Sequence, residues 1–228
     1  MTVAIAHRGN AKQAIENTLE AFAAAVAAGA DWIELDVQAT RDGRAIILHD
    51  ETFERLWHWP YPVNAVTWQE VADHFHGQIP LFDTVLEHVS LPLMVDFKQE
   101  AAAPAIVAAI ERAKAWDRCL IVTGNIAGLR RVQSLAPQSA RGLTWTALDP
   151  PEMTLLRSLD LQYFNPYWAL VTASLVEALH RHHYGVSTWT VDDPTAMATL
   201  AKLGVDAIVS NDITRLVSAL HSSSDPLS

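Results

Sequence analysis

Cysteine is almost missing from this chain. A single Cys119 in 228 residues excludes any intrachain disulfide, so the fold must be held by its core, and a reducing compartment suits it. Cys119 lies in the apolar run CLIVTG, which makes it a small buried hydrophobe rather than a nucleophile. Basic residues are also short: sixteen Lys and Arg face twenty-six Asp and Glu, a formal charge of -10. That balance argues against a nucleic-acid surface. An acidic protein can still bind an anion, but its site must reverse the local field, and a bound divalent cation does so most simply. No apolar run approaches the length of a membrane span. The opening MTVAIAHRGN has neither the basic segment nor the long apolar segment of a signal peptide, and the expected location is cytoplasmic. What is present is a globular composition, 50% hydrophobic and 18% charged, with enough chain to bury a full core.

Short apolar runs alternate with amphipathic ones. Strands are predicted at 3–6, 32–37, 92–97, 120–124, 142–146, 162–165, 185–191 and 207–210. Helices are predicted at 17–29, 103–116, 126–135, 150–159, 172–183, 193–204 and 212–220, with Asp193-Pro194 as an N-cap and first helical residue. Parallel neighbours need a crossover, so eight such units point to an α/β fold, a (β/α)8 TIM barrel. A doubly wound open sheet is the alternative. Residues 39–91 exceed one crossover. They hold a further strand-like run at 44–50 after an Asp42-Gly43 turn, the aromatic stretch LWHWPYPVNAVTW, and a helical piece at 81–89. This region reads as an insertion between the second and third barrel strands. A single domain is expected over 1–221, with a flexible tail at 222–228.

Functional groups of such barrels gather where the strands end. The first strand ends on His7-Arg8. The second carries Glu34 and Asp36, two apart and therefore on one face. The run at 44–50 ends on His49-Asp50, the third strand carries Asp96 and Lys98, and the seventh Trp189. Carboxylates late in an apolar strand repel one another and resist burial, and a hard cation with oxygen ligands relieves both costs. A plainer alternative is a set of ion pairs, Arg8 with Glu34 and Lys98 with Asp36. Two histidines that end apolar runs tilt the balance, because paired imidazoles suit proton transfer at neutral pH. Arg8 and Lys98 match phosphate oxygens. Together these residues read as metal-assisted phosphoryl chemistry. HRHH at 180–183 is better explained by the favourable placement of histidine near a helix C-terminus than by metal binding.

The stretch AHRGN followed by ENTLEAFAAAVAAGADWIELDVQATRDGRAIILHDET resembles the glycerophosphodiester phosphodiesterase family. The likeness is close over 6–52 and returns at IPLFDTVLEHV, PLMVDFK, STWTVDDP and GVDAIVSND. The resemblance implies a TIM barrel that hydrolyses a small-molecule glycerophosphodiester to glycerol 3-phosphate and an alcohol. It implies a divalent cation (Mg²⁺ or Ca²⁺, with Mn²⁺ as a further candidate) on Glu34, Asp36 and Asp96, and an acid/base pair of His7 and His49. Arg8 and Lys98 would contact the phosphate, and Trp189 would line the glycerol side. Asp96 stands where the family usually has a glutamate. VSND replaces a threonine-aspartate ending, so Asn211 and Asp212 receive no catalytic role and Asp212 is read as a helix cap. Asn17 or Thr18 is read as the cap of the first helix. The rival readings are a phospholipase D-like or phospholipase C-like barrel acting on lysophospholipids, and a barrel that binds phosphate without chemistry. The sequence leaves the oligomeric state open.

Overall fold

Eleven strands and their connecting helices make up the computed structural model, which describes residues 2–222. The tail expected at 222–228 lies outside the described residues, apart from Ser222, the last residue of the C-terminal helix Ile213–Ser222. The strands are β1 (Val3–His7), β2 (Trp32–Ala39), β3 (Ala45–Ile47), β4 (Thr52–Phe53), β5 (Trp59–Pro62), β6 (Leu93–Asp96), β7 (Cys119–Thr123), β8 (Ala140–Trp145), β9 (Tyr163–Pro166), β10 (Gly185–Thr188) and β11 (Ala207–Ser210). Eight of them run parallel in the order β1-β11-β10-β9-β8-β7-β6-β2, and β2 pairs back onto β1. Ile5 thus meets Val209 on one side and Trp32 on the other. The sheet is closed, which excludes the doubly wound alternative: the fold is a (β/α)8 barrel.

Alternation along each strand sorts the side chains. On β2, Ile33, Leu35 and Val37 face the helices and join the main apolar cluster, fully or almost fully buried. Trp32, Glu34 and Asp36 therefore point to the barrel axis. On β6, Leu93 and Val95 face outward, and Met94 and Asp96 face inward. The floor of the barrel is filled by Ile5, Met94, Leu120, Val122, Ala207 and Val209. The polar groups stand on that floor, at the C-terminal ends of the strands.

Several predicted boundaries shift for local reasons. The first helix is Leu19–Ala27, capped by Thr18, whose side chain accepts from the Ala21 amide. Asn17 has φ 60° and cannot join it. The helix expected at 150–159 is only Met153–Ser158, entered through Glu152 in extended backbone; Pro151 keeps Pro150 out of helical backbone. The helix expected to run to 183 stops at Arg181, ahead of a left-handed His183. Asp193 and Asp212 cap their helices as expected, accepting from Ala196 and Arg215 amides at 2.8 and 3.1 Å.

The run at 44–50 forms β3, which stays out of the barrel and pairs antiparallel with the far end of β2, Val37 opposite Ile47. On it sits a second apolar cluster of Ile46, Leu48, Phe53, Val63, Val66, Val71, Phe75 and Ile79. The aromatic stretch packs here: Phe53 and Trp57 both contact Phe75, and Trp59 stacks on His74 at 4.6 Å. Helix Phe82–His88 then returns to the main core through Phe82, Val85 and Leu86. Among the described residues, no helix is long and apolar enough to cross a membrane.

The turn after β1 depends on Gly9, which has φ 81° and lies against the first helix. A Cβ there would sit 2.7 Å from the Ala21 carbonyl carbon. Gly9→Ala is expected to cost more than about 1 kcal/mol, read as a lower urea midpoint at constant m. An unchanged midpoint would contradict this account of the turn.

Candidate active site

One cavity of about 240 Å³ at the C-terminal mouth of the barrel is lined by His7, Arg8, Glu34, Asp36, His49, Asp96, Lys98 and Trp189, together with Met94, Val122, Thr144, Asn165 and Val209. All eight side chains singled out from the sequence meet there. Register explains the convergence: His7 is level with Glu34 across β1 and β2, and Asp36 is level with Asp96 across β2 and β6.

Glu34, Asp36 and Asp96 each offer an oxygen within 4.8 Å of the others, and each is less than a tenth exposed. Of the two expected ion pairs, Lys98 with Asp36 forms, whereas the Arg8 guanidinium pairs with Asp36 and Glu16 rather than with Glu34. The Arg8 backbone amide donates to Glu34 Oε2 at 3.0 Å. Its guanidinium Nε lies 3.0 Å from Asp36 Oδ2, at an angle that leaves that N–H without a hydrogen bond. Lys98 Nζ contacts Asp96 Oδ2 and lies 3.5 Å from Asp36 Oδ1. Asn17, in its left-handed conformation, donates from Nδ2 to Asp36 Oδ2 at 3.0 Å and accepts from the Asp36 amide at 3.3 Å.

These pairs do not satisfy the cluster. Three carboxylates share two cations, and Arg8 also gives Nη1 to Glu16 at 2.8 Å. Burial, and then the charges of Asp36 and Asp96, push the Glu34 carboxyl well above its usual range. Burial pushes Asp96 to about 6. Burial works against Asp36 too, but Arg8, Lys98, His49 and the Asn17 amide hold it below the usual carboxylate range. Asp96 Oδ1 is buried without a hydrogen-bond partner, an omission that costs about 1–3 kcal/mol. An all-oxygen donor set with surplus negative charge and an orphaned oxygen fits a hard divalent cation. The shorter side chain of Asp96 does not keep it from the cluster.

Each histidine is held at Nδ1. His7 Nδ1 lies 2.6 Å from Asn211 Oδ1. Asn211 Nδ2 donates to Asp192 Oδ2 at 2.8 Å, and the Asn211 amide donates to Asp192 Oδ1 at 2.9 Å. The amide orientation of Asn211 is thereby set, so its oxygen faces His7 and His7 Nδ1 carries the proton. His7 Nε2 is 3.9 Å from Glu34 Oε2. Burial, and then the charge of Arg8, lower the His7 pKa. His49 Nδ1 lies 2.7 Å from Asp50 Oδ1. Asp50 also accepts from Arg55 Nε at 2.5 Å. Trp189 donates from Nε1 to the Asn165 carbonyl at 3.0 Å and stands edge-on to Tyr167.

A profile of the glycerophosphoryl diester phosphodiesterase family matches residues 7–215. The chain belongs to this family. It is 31% identical to the glycerophosphodiester phosphodiesterase of Caldanaerobacter subterraneus subsp. tengcongensis, over 96% of this chain and 98% of that one. It is also 31% identical to the enzyme of that name from Bacillus altitudinis, over 95% and 97%. A phosphodiesterase of Oleispira antarctica, solved with its product sn-glycerol-3-phosphate, superposes with a TM-score of 0.88 at 25% identity, over 97% of each chain.

Within this phosphodiesterase family member, the cavity also uses residues to which sequence reasoning assigned other tasks or none. Asn17, one of two candidate caps, braces Asp36, while Thr18 does the capping. Asn211 braces His7, and Asp192 braces Asn211. Asp50 was visible as the neighbour of His49. Cys119 is buried, with its thiol pushed up to about 12 by that burial, so it is not a nucleophile. His180 pairs with Asp206 at 2.8 Å, next to the N-terminal end of β11 and away from the site.

A divalent cation entering the triad must displace protons held by Glu34 and Asp96. Its affinity is therefore expected to rise as pH increases through about 6, the value to which burial pushes Asp96, by up to about tenfold per pH unit for each proton released. Titration calorimetry with Mn²⁺ in buffers of different ionisation enthalpy reads both the affinity and the proton release. A flat pH dependence would contradict the assignment.

Proposed function

We propose that this protein hydrolyses glycerophosphodiesters to glycerol 3-phosphate and an alcohol. In this reading Glu34, Asp36 and Asp96 hold a divalent cation (Mg²⁺, Ca²⁺ or Mn²⁺), and His7 and His49 are the acid/base pair. The observation that carries the reading is the shared cavity: two imidazoles, each tied at Nδ1, open onto the same space as three carboxylates and two cationic side chains. The product bound to the Oleispira antarctica relative supports the substrate class.

The roles divide by partner. His7 is kept on a neutral amide, its Nδ1–H is committed to Asn211, and its pKa is lowered. It enters with Nε2 unprotonated and takes the proton of the nucleophile. His49 rests on the carboxylate of Asp50, an acceptor that accommodates a positive ring. It protonates the departing alcohol from Nε2. The nucleophile is water, or else the glycerol hydroxyl beside the phosphoester, whose cyclic phosphate water then opens. Arg8 and Lys98 are short of neither charge nor reach for phosphate oxygens, since both already lie among the carboxylates that line the pocket. Trp189 offers an apolar wall for the glycerol carbons. A cation at the triad supplies a Lewis acid that neutralises charge on the phosphate. The same reading treats residues 1–221 as one domain, with 39–91 inserted in it.

His7→Ala and His49→Ala are each expected to lower kcat/KM on glycerophosphocholine by about two to four orders of magnitude, followed as released glycerol 3-phosphate with added Mn²⁺. A bell-shaped pH profile is expected for the wild type, because one ring must be neutral while the other is charged. Chelation is expected to abolish turnover, and the cation to restore it. Near-wild-type rates in either alanine variant, or full activity after exhaustive chelation, would reject the assignment.

A further inference from the structure

One side chain outside the cavity touches both halves of the machinery. Arg55 lies on the four-residue helix Glu54–Trp57 of the inserted segment. Its Nε donates to Asp50 Oδ2 at 2.5 Å, and its Nη2 donates to Glu16 Oε1 at 2.6 Å. The other oxygen of Asp50 faces His49 Nδ1 at 2.7 Å. The same oxygen of Glu16 accepts from Arg8 Nη1 at 2.8 Å. A continuous chain thus runs from His49 through Asp50, Arg55 and Glu16 to Arg8.

We infer that Arg55 is a positioning residue for the reaction, a clasp that fixes the orientation of His49 and Arg8 relative to each other. The inference rests on the function proposed above. Stability alone does not explain the arrangement. Arg55 is about half exposed, and exposed ion pairs contribute little to folding, about 0–1 kcal/mol. The geometry instead calls for a planar fork: two separate N–H directions serve two carboxylates from different parts of the chain. A lysine ammonium is a single point of charge and does not reproduce that fork. The charge of Arg55 also helps hold both Asp50 and Glu16 below the usual carboxylate range, so both remain acceptors for the groups they orient.

The inserted segment explains how the clasp is kept in place. Phe53, just before the helix, is fully buried, and Phe53 and Trp57 both pack on Phe75. Arg55 is thus carried on a short turn whose two flanks are anchored in an aromatic cluster. In this view the aromatic stretch serves the site by aiming one guanidinium at it.

The test compares wild type with Arg55→Ala, Arg55→Lys and Arg55→Gln, using glycerophosphocholine with Mn²⁺. Arg55→Ala is expected to lower kcat about 10- to 100-fold, the scale of lost outer partners, and to raise KM through Arg8, with a thermal midpoint close to wild type. Arg55→Lys is expected to keep that midpoint and still not recover kcat. In a double-mutant cycle, Asp50→Asn and Glu16→Gln are expected to be non-additive with Arg55 present and additive with Arg55→Ala. A readout independent of turnover is the His49 Nδ1 proton in the NMR spectrum of ¹⁵N-histidine-labelled protein, expected in wild type and lost in Arg55→Ala. If Arg55→Ala does not fold, Arg55→Lys and Arg55→Gln carry the same comparisons. Unchanged kcat and KM in folded Arg55 variants of an active wild type would overturn the clasp. A wild type inert on glycerophosphodiesters whose His49 proton still depends on Arg55 would support the clasp and reject the substrate reading.

Discussion

Three carboxylates from two neighbouring strands lie side by side on the floor of a closed sheet, and the chain supplies two cations to balance them. That imbalance is the constraint around which the mouth of the barrel is organised. Burial favours neutral groups, yet Asp36 is held ionised by Arg8, Lys98, His49 and Asn17. Glu34 and Asp96 are left under pressure to take up protons. A barrel interior could have filled these positions with branched apolar residues at lower cost, as it does one layer below with Ile5, Leu120 and Val209. Keeping the charges exchanges stability for a cluster of oxygen donors that fits a hard divalent cation.

Around that floor the imidazoles are held by partners of different charge. His7 sits on a neutral amide that is itself braced by a carboxylate, whereas His49 sits directly on a carboxylate. The same ring type therefore meets two environments, and the proposed division into base and acid rests on that difference of partners. Both tethers come from loops just beyond strand ends, where the backbone is free to carry side chains back over the cavity.

Much of the barrel was legible in the sequence because its strands are buried on both faces and its helices carry one apolar side. Glu34, Asp36, Asp96 and Lys98 were legible for the same reason: charge at alternate positions of an apolar strand stands out. The second tier was not. Asn17 looked like a cap because it precedes a helix, and only its left-handed backbone shows that it faces Asp36 instead. Asn211 and Asp192 lie more than 180 residues from His7 in sequence, so no local pattern links them to it. Arg55 and Glu16 are joined across 39 residues through the segment between β2 and β6, whose course no periodicity reveals. The apolar spacing of 150–159 read as a helix, and the structure begins it only at Met153.

The most direct measurement is anomalous diffraction from crystals grown with Mn²⁺. The account predicts one strong peak among Glu34, Asp36 and Asp96, with the orphaned Asp96 oxygen engaged and Lys98 withdrawn from that carboxylate. Saturating Mn²⁺ with no peak there, and Lys98 still seated on Asp96, would contradict it.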